Sequence, residues 1–192
     1  MNADDFLPDL KRFEGLTTWM YRDTNEAGLV TTGVGNMLPT PAAAAELEWW
    51  VGNTRKATPD EVHAAFAAVK AAAPGKLAAS YKRFTVVRLD PPYAERLALD
   101  RLAKEFLPGI RELFDGFDEY PDAAQRVIVD MAYNMGLGLL AKFHHLREAC
   151  AASNWAQAAE ECHVASSRPD RNDWRRGLFE SLVEGGAVTD PA

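Results

Sequence analysis

Three side chains near the start of the chain, Glu14, Asp23 and Thr31, are of types that can act together on a bond. Glu14 closes a predicted helix, because Phe6, Leu7, Leu10 and Phe13 recur at three- and four-residue spacing and Gly15 is placed to end it. A carboxyl at that end faces the negative pole of the helix, so burial there favours its neutral, proton-donating form. Asp23 lies nine residues on, in the polar turn Asp23-Thr24-Asn25-Glu26-Ala27-Gly28, where solvent and backbone amides keep a carboxylate charged. Thr31 sits on the strand after that turn, with a hydroxyl facing back and able to hold a water. One carboxyl that gives a proton and another that stays charged on the opposite face is the pairing that glycosidic hydrolysis requires.

The elements that must position these groups are short. Trp19-Met20-Tyr21 and Leu29 to Gly35 read as two strands flanking the polar turn, and they are the only clear β signal. Everything else reads as helix, so the expected class is α+β and mostly helical. Thr58-Pro59-Asp60-Glu61 is a capping box with proline at the first helical position, followed by Val62, Ala65, Phe66 and Val69 on one face. Asp90-Pro91-Pro92 opens a helix expected to run to about Phe106 and to stop at Pro108-Gly109. A helix from Pro121 carries Ala124, Val127, Ile128, Met131 and Ala132, apolar around much of its girth, and so belongs at the centre of a bundle. Two helices flanking Ser153-Asn154 and a last one from about Trp174 to Val183 complete it.

Composition narrows the function classes. The chain has 192 residues, 47% hydrophobic and 26% charged, which is ordinary globular composition. Its net charge of −7 argues against general nucleic-acid binding, which needs excess Lys and Arg against phosphate. No window is apolar for long enough to span a membrane. The acidic start, without an apolar core after it, is not a secretory leader. Two cysteines, Cys150 and Cys162, supply no disulfide framework or four-thiolate zinc site; they are expected as buried thiols in a cytosol, with a disulfide between them the alternative in a periplasm. No cofactor or metal is called for: His144-His145 point in different directions on a helix, and two carboxyls with water suffice for the reaction. Trp19, Trp49 and Trp50 suit sugar stacking, but core packing is the more frequent use of such side chains.

The string Glu14-Gly15, Tyr21-x-Asp23 and Gly28-x-x-Thr31-x-Gly33-x-Gly35 closely resembles the catalytic hairpin of phage T4-type lysozymes, glycoside hydrolase family 24. A second stretch resembles that family's helical lobe in order and spacing: Ala124-Gln125-Arg126 through Met135-Gly136, Phe143, Leu146-Arg147, and Asn154 to Ala159. The resemblance implies an inverting muramidase. Glu14 would be the general acid, with Asp23 and Thr31 delivering water from the other face. It makes Arg175 the arginine that pairs with the catalytic Glu, within the cluster Arg168, Arg171, Arg175 and Arg176, and it makes Met37, Tyr133 and His145 groove residues. Against that family the turn after Asp23 is longer, Asn36 stands where a histidine often follows the glycines, and residues 53–88 form a longer segment expected to hold an extra helix.

By the same resemblance the chain is one lysozyme-like domain with a substrate groove between two lobes. The smaller lobe covers about 15–89, a connecting helix about 90–107, and the helical lobe about 108–192 with the N-terminal helix 4–14. The implied substrate is the glycan strand of peptidoglycan. Without a leader, such an enzyme is made in the cytoplasm and meets periplasmic peptidoglycan after delivery or release. That suits a phage endolysin or an antibacterial effector with a secretion apparatus and an immunity protein as partners. The alternative is a non-catalytic peptidoglycan-binding or scaffolding module on the same fold.

Overall fold

A computed structural model of the chain describes residues 2–23, 28–52 and 54–185. It is 63% helical with two small antiparallel sheets, the α+β class expected from the sequence. The chain divides into two units: one holds the N-terminal helix to Phe13 and everything from Arg101 onward, the other spans Glu14–Asp100. Among the described residues no helix is long and apolar enough to cross a membrane.

Helix α1 (Ala3–Glu14) buries Phe6, Asp9 and Leu10 on one stripe. Gly15 follows at φ +73°, a left-handed conformation that costs glycine nothing and ends the helix where the spacing predicts. The second unit then begins with a three-stranded sheet in the order β1 (Thr17–Arg22), β2 (Val30–Gly33), β3 (Asn36–Leu38). Two strands were expected, and the third is the short return after the glycine-rich turn. A single turn of helix, α2 (Pro41–Ala45), is capped by the Thr40 hydroxyl.

A second sheet, which the residue pattern did not reveal, follows in the order β5-β4-β6, with β4 at Trp49–Val51, β5 at Arg55–Lys56 and β6 at Val87–Leu89. The segment 53–88 is therefore not only an added helix. It carries α3 (Pro59–Ala71), with the expected capping box formed in both directions, between two strands of that sheet. Strands of two or three residues are too short to show a period, and β4 and β6 find each other only across the intervening helix. Met20, Val30, Leu38, Trp49, Val62, Phe66, Val69, Tyr81 and Val87 form the core. Each fully buried Val or Phe there contributes about 1.5–3 kcal/mol. Trp49 is a core residue whose indole N–H donates to the Ala44 carbonyl at 2.7 Å.

Helix α4 (Pro91–Arg101) does not stop near Phe106. It widens into a π-helical stretch, Leu102–Phe106, and continues as α5 (Leu107–Leu113) straight through Pro108 and Gly109. Pro108 falls in the first turn of α5, where a missing N–H is tolerated, and the Leu107 N–H reaches back five residues to Leu102. Gly109 is a packing residue rather than a stop: a Cβ there would collide with the Leu137 side chain.

The helical unit continues with α6 (Asp122–Met135), α7 (Leu137–Leu140), α8 (His144–Ala151), α9 (Trp155–Glu161) and α10 (Pro169–Gly185). Buried residues run almost continuously from Ala124 to Tyr133, as expected of a central helix. The Asn154 side chain caps α9, and α10 starts five residues before the expected Trp174. Cys150 and Cys162 are buried free thiols. Burial pushes Cys150 up to about 12 and Cys162 up to about 11, so both stay protonated at neutral pH.

Candidate active site

The β1–β2 ladder places two of the three expected residues. Tyr21 pairs with Thr31 and Arg22 with Val30, and the Asp23 N–H extends the ladder with a 2.8 Å bond to the Leu29 carbonyl. Residues two apart along a strand share a face, as do residues directly opposite. Tyr21, Asp23 and Thr31 therefore lie on one face, and Met37, which pairs with Thr31 on β3, continues the row. Asp23 and Thr31 are diagonal neighbours on that face. Thr31 is buried, whereas Met37 at the sheet edge is 44% exposed. The Thr31 hydroxyl donates a long bond of 3.4 Å to the Leu29 carbonyl, which leaves its lone pairs directed elsewhere as acceptors.

The remainder of the polar turn, residues 24–27, lies outside the described residues. Its far end is anchored. The Gly28 carbonyl accepts from Arg22 Nε at 3.1 Å and from Lys70 Nζ at 3.3 Å, while Arg22 Nη1 donates to the Ala72 carbonyl at 2.9 Å. That last bond satisfies an orphan carbonyl at the negative end of α3 with a cation. Arg22 and Lys70 were not singled out from the sequence, since nothing local marks a partner 42 residues away.

Glu14 is the last residue of α1, and its Oε1 is shielded from solvent. The turn it belongs to is held firmly. The Phe13 ring lies 4.9 Å from Trp174 and 5.0 Å from the Arg171 guanidinium, and Asp9 accepts two 2.7 Å bonds from Arg126.

The remaining candidates belong to the helical unit. Arg175 is fully buried. It donates to Asp130 at 2.6 Å, Asn134 at 3.1 Å, Ser167 at 3.2 Å and Asn172 at 3.3 Å. Arg171, also buried, donates to both Asp130 oxygens, at 2.7 Å and 3.1 Å. Burial lowers the pKa of Arg175 from its ordinary value, and Asp130 opposes that. The arginine cluster is thus split, with Arg171 and Arg175 buried and Arg168 and Arg176 exposed. Asp130 was missed in the sequence. Its signal was available: an aspartate between Val129 and Met131 on a buried helix requires a cation. The Tyr133 ring packs 5.2 Å from Phe106 with the Arg101 guanidinium 5.6 Å away, whereas His145 is exposed, 3.7 Å from Glu148. Among the described residues no group of three or more His, Cys, Asp or Glu side chains is placed to hold a metal ion.

In chemical terms the second unit offers a half-buried carboxyl at a helix end, one oxygen of which is shielded from solvent, and a carboxylate and a hydroxyl on one sheet face. Those groups suit acid–base hydrolysis. No protein-family model matches the chain, and no curated protein matches it either.

Proposed function

We propose that this protein is a peptidoglycan hydrolase, an N-acetylmuramidase of the T4-type lysozyme kind. It cleaves the β-1,4 bond between N-acetylmuramic acid and N-acetylglucosamine. Glu14 protonates the leaving oxygen as the bond from C1 to that oxygen breaks. Asp23 takes a proton from a water that Thr31 holds, and this water attacks C1 from the opposite face, inverting the anomeric centre. The observation that carries the reading is the run from Glu14-Gly15 through Tyr21-x-Asp23 to Thr31-x-Gly33-x-Gly35, with the register that sets Asp23 and Thr31 on one sheet face. The turn after Asp23 is longer than in the family it resembles, and its anchoring by Arg22 and Lys70 supports a fixed placement for its ends.

The acidic balance and the added segment at 53–88 favour an antibacterial effector over an endolysin. In that role the protein is delivered to the periplasm and is neutralised in its producer by an immunity protein.

The test is release of reducing ends from purified peptidoglycan. Wild type releases them, and Glu14→Gln loses about 10²–10⁴-fold with its fold intact. Proton NMR of the first product shows the α-anomer. Full activity in Glu14→Gln overturns the assignment. Glycan binding with no release by either protein establishes the non-catalytic binding module instead.

A further inference from the structure

The face of the second sheet turned away from the core carries Lys56, Trp50 and Arg88 in one row, because Trp50 pairs directly with the other two. Alternation past the strand ends adds Glu48 and Asp90 to that face and turns Trp49, Val87 and Leu89 inward, where they are buried. Tyr93 and Arg96, about one turn apart on α4, join Glu48, Trp50, Arg88 and Asp90 around an open cleft of about 350 Å³. That volume sits at the small end of the range of about 300–1,000 Å³ common for ligand sites. All of these residues belong to the Glu14–Asp100 unit, and none has a part in the chemistry assigned to Glu14, Asp23 and Thr31.

The lining is organised. Arg88 is tied to the carbonyls of Thr85 and Val87 at 2.7 Å and 2.6 Å and to that of Lys82 at 3.1 Å, which fixes one wall. The Arg96 guanidinium lies 5.5 Å from the Tyr93 ring, and Lys56 lies 6.0 Å from the Trp50 ring. The lining holds two carboxylates, Glu48 and Asp90, and two guanidiniums, Arg88 and Arg96, so its formal charges balance and it selects neither a simple anion nor a simple cation. Two aromatic surfaces with hydrogen-bonding groups of both kinds suit a neutral pyranose. Its apolar face stacks on a ring, while its hydroxyl and acetamido groups donate to carboxylates and accept from guanidiniums.

We infer that this cleft is an accessory binding site for a chain of N-acetylated amino sugars, which holds the polymer apart from the residues that cleave it. The choice of sugar rests on the muramidase reading, whereas the binding itself is measured without any turnover.

The experiment titrates the whole chain with a soluble N-acetylglucosamine oligomer, by calorimetry and tryptophan fluorescence, in wild type, Trp50→Ala, Arg96→Ala and Glu14→Gln. Trp50→Ala is expected to weaken binding by about tenfold, the loss of one stacking surface, and Arg96→Ala to weaken it by a smaller factor. Glu14→Gln serves only to prevent turnover during the titration. Arg96 is an exposed helix position, so its variant decides the matter even where Trp50→Ala does not fold. Wild-type affinity in the folded cleft variants overturns the proposal, as does no oligomer binding by the parent. Preference for a charged stem-peptide fragment over the sugar overturns it in favour of a peptide site. Failure of the muramidase reading is separate: oligomer binding then persists while no variant, nor the parent, releases reducing ends.

Discussion

Among the described residues, the buried polar side chains of the helical unit are Asp9, Gln125, Asp130, Arg171, Asn172 and Arg175, and those of the sheet-bearing unit are Thr31, Thr32 and Thr85. The threonine hydroxyls find carbonyls close at hand. Thr31 donates to Leu29, Thr85 to Val87, and Thr32 to Thr17 across the strand pair. The charged groups of the other unit need partners from distant elements: Arg175 meets Asp130 across 45 residues and Arg126 meets Asp9 across 117. The reason is chemical. A hydroxyl can be buried on a strand at modest cost because the backbone satisfies it, whereas a buried guanidinium needs a counter-charge as well as acceptors. Among these buried groups, the helical unit relies on ion pairs, whereas the threonines of the sheet-bearing unit are satisfied by backbone carbonyls.

Removing a charge from the helical unit should break it most. Asp130→Ala leaves Arg171 and Arg175 buried without the carboxylate they share, and is expected to cost about 3–5 kcal/mol, read from denaturant unfolding. Asp130→Asn keeps the acceptor but not the charge and should fall between that variant and wild type.

Alkaline pH probes the same unit through its thiols. The folded values of Cys150 and Cys162 lie above the ordinary thiol value, so the folded state retains their protons longer than the unfolded state does. Their contribution is complete below about pH 8.5 and is lost as pH rises toward about 11 to 12. Cys150→Ala with Cys162→Ala should flatten this alkaline loss in a thermal unfolding series. With both thiols native and the pH near 8, a thiol reagent should react only after unfolding.

Smaller effects are expected in the sheet-bearing unit. Thr58→Ala removes the cap of α3 and should cost about 1 kcal/mol. Glu61, the other half of that box, is held near 2 by its hydrogen bond with Arg55, so its contribution is present above the ordinary carboxylate range and is lost as pH falls toward 2. Thr31→Val discards a hydroxyl whose bond to the Leu29 carbonyl is long, and stability should change by less than about 1 kcal/mol. Reducing-end release should nevertheless fall sharply in that variant. A stability loss matching that of Asp130→Ala would erase the contrast between the units.

Signals carried by neighbouring residues were legible without a structure. The capping box at Thr58–Glu61, the helix stop at Gly15, the break at Ser153-Asn154 and the buried run of α6 all formed where the sequence places them, because each depends on contacts within a turn or two. The strand pair around the polar turn was legible for the same reason, whereas the register that sets Asp23 and Thr31 on one face was not. Tertiary structure alone decided the rest. It paired Trp49–Val51 with Val87–Leu89. It carried α4 through a π-helical stretch past Pro108 and packed Gly109 against Leu137. It buried Arg171 and Arg175 against an aspartate that sequence reading had passed over. Local hydrogen bonds and periodicity are written in adjacent residues, while the partner of a buried charge or of a three-residue strand is chosen only when distant parts of the chain close around it.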